Sequence, residues 1–66
     1  MCPYRLVGEM KKRKISQKDI AILLGLSSNA VNYKLRGKRE FTASEMFKIK
    51  DSYFKDISIE DLFKTE

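Results

Sequence analysis

The chain has 66 residues and a net charge of +5, with fourteen Lys and Arg against nine Asp and Glu, one cysteine and no histidine. So short a chain supports one domain around one small core, and buries only about 60% of the surface its unfolded form exposes. With Cys2 alone, neither an internal disulfide nor a usual zinc site of three or four nitrogen and sulfur ligands can form. No apolar run approaches bilayer length and no signal-peptide pattern opens the chain, so a reducing cytoplasm is the expected location.

The apolar spacing predicts four to five helices and nothing else. Pro3 suits a first helical position, because its missing N–H would be unpaired there anyway. A helix over 3–13 follows, with Leu6 and Met10 on one face and Val7 beside them. Gly8 inside it costs about 1 kcal/mol relative to alanine, which predicts close helix packing at that point. Ile15 is expected to drop into the core as a staple ahead of the next helix.

Ser16 caps the second helix, with Asp19 at its positive end. The helix runs to Leu24 on an apolar set of Ile20, Ala21, Leu23 and Leu24, and Gly25 closes it at positive φ. Leu26 plugs the turn and Ser27 caps a third helix over 28–35, which buries Val31 and Leu35 before Gly37 ends it. Thr42-Ala43-Ser44-Glu45 is a full capping box. The fourth helix behind it is expected to bury Met46, Ile49 and Tyr53, with Phe47 and Phe54 alongside. Ser58 caps a last short helix over 59–63. The expected architecture is all-α, a compact four-to-five-helix bundle, with no strand alternation, repeat or low-complexity linker.

Charge is unevenly spread along this pattern. Residues 1–39 carry ten basic residues and two acids, Glu9 and Asp19; residues 40–66 carry four lysines and seven acids. A basic front with a mildly acidic back suits a molecule that docks one face on a polyanion.

Gln17 at a helix start, Ala21, Gly25, Leu26, Ser27, Val31 and Gly37 together resemble the helix-turn-helix of the phage repressor and Cro family, also called the xenobiotic-response-element family. The flanking helices extend the resemblance over about residues 4–63. The spacing has physical reasons. Ala21 is small where the next helix crosses, Gly25 takes a backbone shape other residues resist, and Leu26 and Val31 lock the angle between the helices. Many members carry a buried Arg–Glu pair where this chain has Met10 and Leu35, an exchange that is commonly neutral or stabilising. A larger C-terminal domain of the kind found in full-length repressors is not expected.

What the resemblance implies is sequence-specific binding to double-stranded DNA. The second helix of the motif would enter the major groove and present Ser28, Asn29, Asn32 and Tyr33 to base edges. The inward Val31 and Leu35 independently turn these four outward. Asn29 can bond an adenine in bidentate fashion, and Tyr33 can touch a thymine methyl or a phosphate. Gln17, Arg36, Lys38 and Arg39 would hold backbone phosphates, with Gly37 allowing close approach. The run Lys11-Lys12-Arg13-Lys14 either joins them or simply complements the negative end of its helix. The resemblance also implies a homodimer on two half-sites, with Ile57, Ile59, Leu62 and Phe63 as an apolar surplus for the contact. No cofactor, membrane or small-molecule ligand is expected from the sequence.

Other classes remain. An enzyme is not expected, because Cys2 has no histidine to activate it and Glu60 and Asp61 are explained by helix electrostatics. A protein-interaction module on the same fold, such as an antitoxin or antirepressor, is the serious alternative. Tyr53, Phe54 and Phe63 are many large apolar residues for so small a chain to hide.

Overall fold

The computed structural model describes residues 2–65. Five helices follow one another, α1 (Tyr4–Arg13), α2 (Gln17–Leu24), α3 (Ser28–Leu35), α4 (Ala43–Tyr53) and α5 (Ile59–Leu62), and no strand occurs among the described residues. No helix there is long and apolar enough to cross a membrane.

The sequence sets each boundary locally. Pro3 has φ −76° but a non-helical ψ of 74°, so it caps α1 instead of occupying its first turn. Its carbonyl accepts the Val7 N–H at 3.2 Å. The first three helices end alike. At Lys14, Gly25 and Gly37 the backbone turns left-handed, and the following N–H reaches back to a carbonyl five residues earlier: Ile15 to Met10, Leu26 to Ala21, Lys38 to Tyr33. Two of the three positions are glycine. Lys14, at φ 57°, carries a side chain in a region where steric clash disfavours one. Each closure drops its next apolar residue inward or redirects the chain, and Ile15 and Leu26 both pack on the core as expected.

The capping boxes of α2 and α4 are complete. Ser16 Oγ accepts the Asp19 N–H at 3.1 Å while Asp19 Oδ2 accepts the Ser16 N–H at 2.9 Å. Thr42 and Glu45 make the same exchange at 3.2 and 2.9 Å. Ser27 and Ser58 cap α3 and α5 by accepting from Ala30 and Asp61.

These elements converge on one core. Leu6, Ile20, Val31, Ile49 and Leu62 are fully buried, one from each helix, joined by Phe54 just beyond α4. Ala21 is buried too, and α3 packs most extensively on α2, as a small residue at the crossing predicts.

Further expectations are corrected. Gly8 is exposed, and a Cβ there would meet nothing within 4 Å, so the glycine does not serve close packing. It sits mid-helix without a steric reason. Gly8→Ala is therefore expected to stabilise the fold by about 1 kcal/mol, read as a raised thermal midpoint. An unchanged or lowered midpoint would contradict the open environment.

Tyr53 and Phe47 are exposed, not buried. α4 ends at Tyr53, and the backbone of Phe54 (φ −133°) leaves the helix so that its ring, not that of Tyr53, fills the core. Phe47 is one residue, or about 100° of helix turn, round from the inward Met46. Finally, the supposed apolar surplus belongs to the core except for Ile59. Ile57 and Leu62 are buried, Ile59 is half-buried, and the half-buried Phe63 ring meets Phe41 edge-on at 5.5 Å between centroids. α5 also stops at Leu62, one residue before the expected end.

Candidate nucleic-acid interface

α3 is an eight-residue helix held along one side. Val31 is fully buried and Leu35 half-buried, which fixes the inward direction. At about 100° per residue, Asn29 and Tyr33 fall in one row opposite that side, and Ser28 and Asn32 in the neighbouring row on its flank. Ser28, Asn29 and Tyr33 are exposed and Asn32 is half-buried. The four expected base readers therefore occupy two adjacent rows, of which the Asn29–Tyr33 row points directly outward. All can offer hydrogen-bonding atoms, and Tyr33 adds the edge of a ring.

Gln17 does more than expected of it. Its Nε2 donates to the Ser28 carbonyl at 2.8 Å, tying the first turn of α2 to the first turn of α3. A side chain assigned only to a phosphate thus braces the start of the reading helix. Its amide has a second N–H, and its backbone N–H lies in the first turn of α2, where helix donors have no internal acceptor.

The inner side of α3 carries the residue that sequence reasoning missed. Lys34 Nζ donates to Glu45 Oε1 at 2.7 Å and to the Glu40 carbonyl at 3.3 Å, and lies 5.7 Å from the centre of the Phe41 ring. The pair is mostly enclosed, with side-chain exposures of 12% and 18%. Burial alone would push the Glu45 carboxyl up, but the Lys34 ammonium and the Thr42 N–H outweigh it and hold it below its ordinary value. The signal was present in the sequence: Lys34 follows Val31 by three and precedes Leu35 by one, which puts it on the edge of the apolar stripe, where a cation needs a partner. Met10 and Leu35 are apolar as expected, and the ionic link to α3 comes from α4 instead.

The loop after α3 is well fixed. Gly37 adopts φ 82°, and both Lys38 and Arg39 donate their N–H to the Tyr33 carbonyl, at 2.9 and 3.4 Å. Lys38 Nζ stands over the Tyr33 ring at 5.7 Å from its centroid. Arg36, Lys38 and Arg39 are all exposed. Arg36 lines a groove of about 350 Å³ with Lys11, Gln17, Ile15, Leu35 and Cys2. Cys2 is half-buried there, its thiol donating to the Leu35 carbonyl at 3.2 Å.

The basic run at the end of α1 divides. Arg13 clasps Asp56 through two bonds, Nη1 to Oδ1 at 2.9 Å and Nη2 to Oδ2 at 2.7 Å, and also donates to the Tyr53 carbonyl. Its guanidinium lies 4.9 Å from the centre of the Phe54 ring. Arg13 and Lys12 also face Glu9, at 3.4 and 3.8 Å. Arg13 is therefore occupied by the fold, whereas Lys11 and Lys14 are exposed and Lys11 reaches the Arg36 groove.

Comparison of the chain with protein-family models, curated proteins and solved structures gave no match.

Proposed function

We propose that the chain is a sequence-specific double-stranded DNA-binding transcriptional regulator of the phage repressor type, acting in the cytoplasm by occupying an operator. One observation carries the reading. α3 is anchored on its inner side by Val31, Leu35 and the Lys34–Glu45 pair, while Ser28, Asn29, Asn32 and Tyr33 are presented together with a rigid cationic loop behind them. A helix N-terminus in the major groove and cations along the backbone are the two halves of such an interface. An eight-residue helix reaches only a few base pairs, so specificity in a genome calls for two copies on half-sites about 10 base pairs apart.

The two halves separate in a salt titration on specific and scrambled duplexes. Lys38→Ala is expected to weaken binding to both alike and to flatten the log–log salt slope by about one unit, because one counterion fewer is released. Asn29→Ala is expected to cost about 1–3 kcal/mol on the preferred duplex and almost nothing on the scrambled one. Equal losses on both duplexes for Asn29→Ala, or an unchanged slope for Lys38→Ala, would misassign the helix or the loop. Salt-independent association with DNA would overturn the proposal. A protein-interaction module is the alternative favoured by Ile22, 71% exposed, and Phe47, 57% exposed. An apolar contact through these two side chains would resist salt.

A further inference from the structure

We infer that the DNA this chain prefers is read as A·T base pairs, through the N6/N7 edge of adenine and the C5-methyl of thymine. This rests on the DNA-reading proposal above and names the bases that proposal leaves open. In the major groove guanine offers two acceptors, N7 and O6, and is read by the multiple donors of Arg or Lys. Adenine offers one acceptor and one donor, the complement of a carboxamide, and thymine offers a methyl group.

The reading face of α3 has the second set and lacks the first. It presents the amides of Asn29 and Asn32, the Ser28 hydroxyl and the Tyr33 ring. The helix does contain a cation, and sequence alone would leave Lys34 available for guanine. In the folded chain it points to the opposite side of α3, where Glu45, the Glu40 carbonyl and the Phe41 ring enclose it. Arg36 stands beyond the C-terminal end, in the groove shared with Lys11 and Gln17, on the side where α1 and α2 meet α3. Lys38 does approach this face, from the loop beyond the C-terminal end, with its ammonium over the Tyr33 ring. The N-terminal residues of a reading helix are the ones that meet base edges, and here none of them is charged.

The test is selection of bound sites from random duplex DNA by the full chain, followed by base-analogue substitution in the selected duplex. A·T pairs are expected at the protected positions of each half-site. Replacing adenine by 7-deazaadenine, which lacks the N7 acceptor, is expected to weaken binding about tenfold. Replacing thymine by uracil, which lacks the methyl, should weaken it in the wild type and not in Tyr33→Ala. Replacing guanine by 7-deazaguanine should change affinity by less than about twofold. Asn29→Ala should lose its share of the 7-deazaadenine effect; were that variant to melt early by circular dichroism, the analogues on the wild-type chain decide alone. Selected sites with G·C at the protected positions, or sensitivity to 7-deazaguanine, would overturn the base assignment and leave DNA reading intact. Recovery of no preferred duplex would overturn both.

Discussion

Phe54→Ala is expected to cost about 3–5 kcal/mol and to leave much of the chain unfolded under conditions where the wild type is folded. Phe54 is the largest fully buried side chain. Its ring fills the core where α4 stops, meets the Tyr53 ring edge-on at 6.4 Å between centroids, and carries the Arg13 guanidinium over it. Its backbone holds the chain reversal as well, donating to the Lys50 carbonyl and accepting the Ile57 N–H. Domains of this length have roughly 0.05–0.15 kcal/mol of stability per residue, so one such loss removes most of the margin. Urea denaturation followed by circular dichroism measures it. Phe54→Leu, which keeps most of the volume, should fall well short of that loss. A midpoint for Phe54→Ala within error of the wild type would show that the ring does not anchor the core.

Glu45→Ala is the second large effect, expected at about 2–3 kcal/mol. The change removes the capping partner of the Thr42 N–H and leaves the Lys34 ammonium enclosed without its carboxylate. Glu45→Gln keeps an acceptor for the Thr42 N–H but not the charge, and should lie between the two. A pH dependence accompanies this. The Glu45 carboxyl is held low by Lys34 and Thr42 against the opposing effect of burial, that of Asp56 chiefly by the Arg13 hydrogen bond, and that of Asp19 chiefly by the Ser16 N–H. Each binds its proton less readily folded than unfolded. The stabilisation is thus fully present above about pH 5 and is lost as pH falls through the ordinary carboxylate range, near 4, toward the lower folded values. Denaturation midpoints at neutral pH and near pH 3 check the direction. Glu45→Ala should show a smaller acid loss than the wild type, since one of the three groups is gone.

Most of the helices were legible because their signals are local. Ser16, Ser27, Thr42 and Ser58 each cap a helix through a backbone N–H three residues on, and Gly25 and Gly37 turn left-handed where an ending was expected. Leu6, Ile20, Val31 and Ile49 are buried because helical spacing forces them to one side. Spacing also turns Asn29 and Tyr33 outward, with Ser28 and Asn32 in the row beside them. What spacing did not reveal depends on how helices sit against each other. Tyr53 and Phe54 are adjacent aromatics, and which one enters the core is decided by where α4 stops. Gly8 carries no mark telling a packed glycine from an idle one. The commitment of Arg13 to Asp56 joins residues 43 apart in sequence, and that of Lys34 to Glu45 joins two helices. Both were counted as cations among cations, and only the folded chain tells the occupied ones from those left facing outward.

The repeated left-handed closures at Lys14, Gly25 and Gly37 also bear on how quickly the molecule forms. Each ties a helix end to the residue just beyond it, and each cap reaches three residues, so much of the wiring joins near neighbours. Chains dominated by such local links have low contact order and reach the native state in about microseconds to milliseconds. The Arg13–Asp56 clasp is the long loop to be closed, drawing the end of α1 onto the segment between α4 and α5. Closing it costs more chain entropy than any local cap, so weakening the clasp is expected to accelerate unfolding more than it slows refolding, read from the two arms of a denaturant chevron.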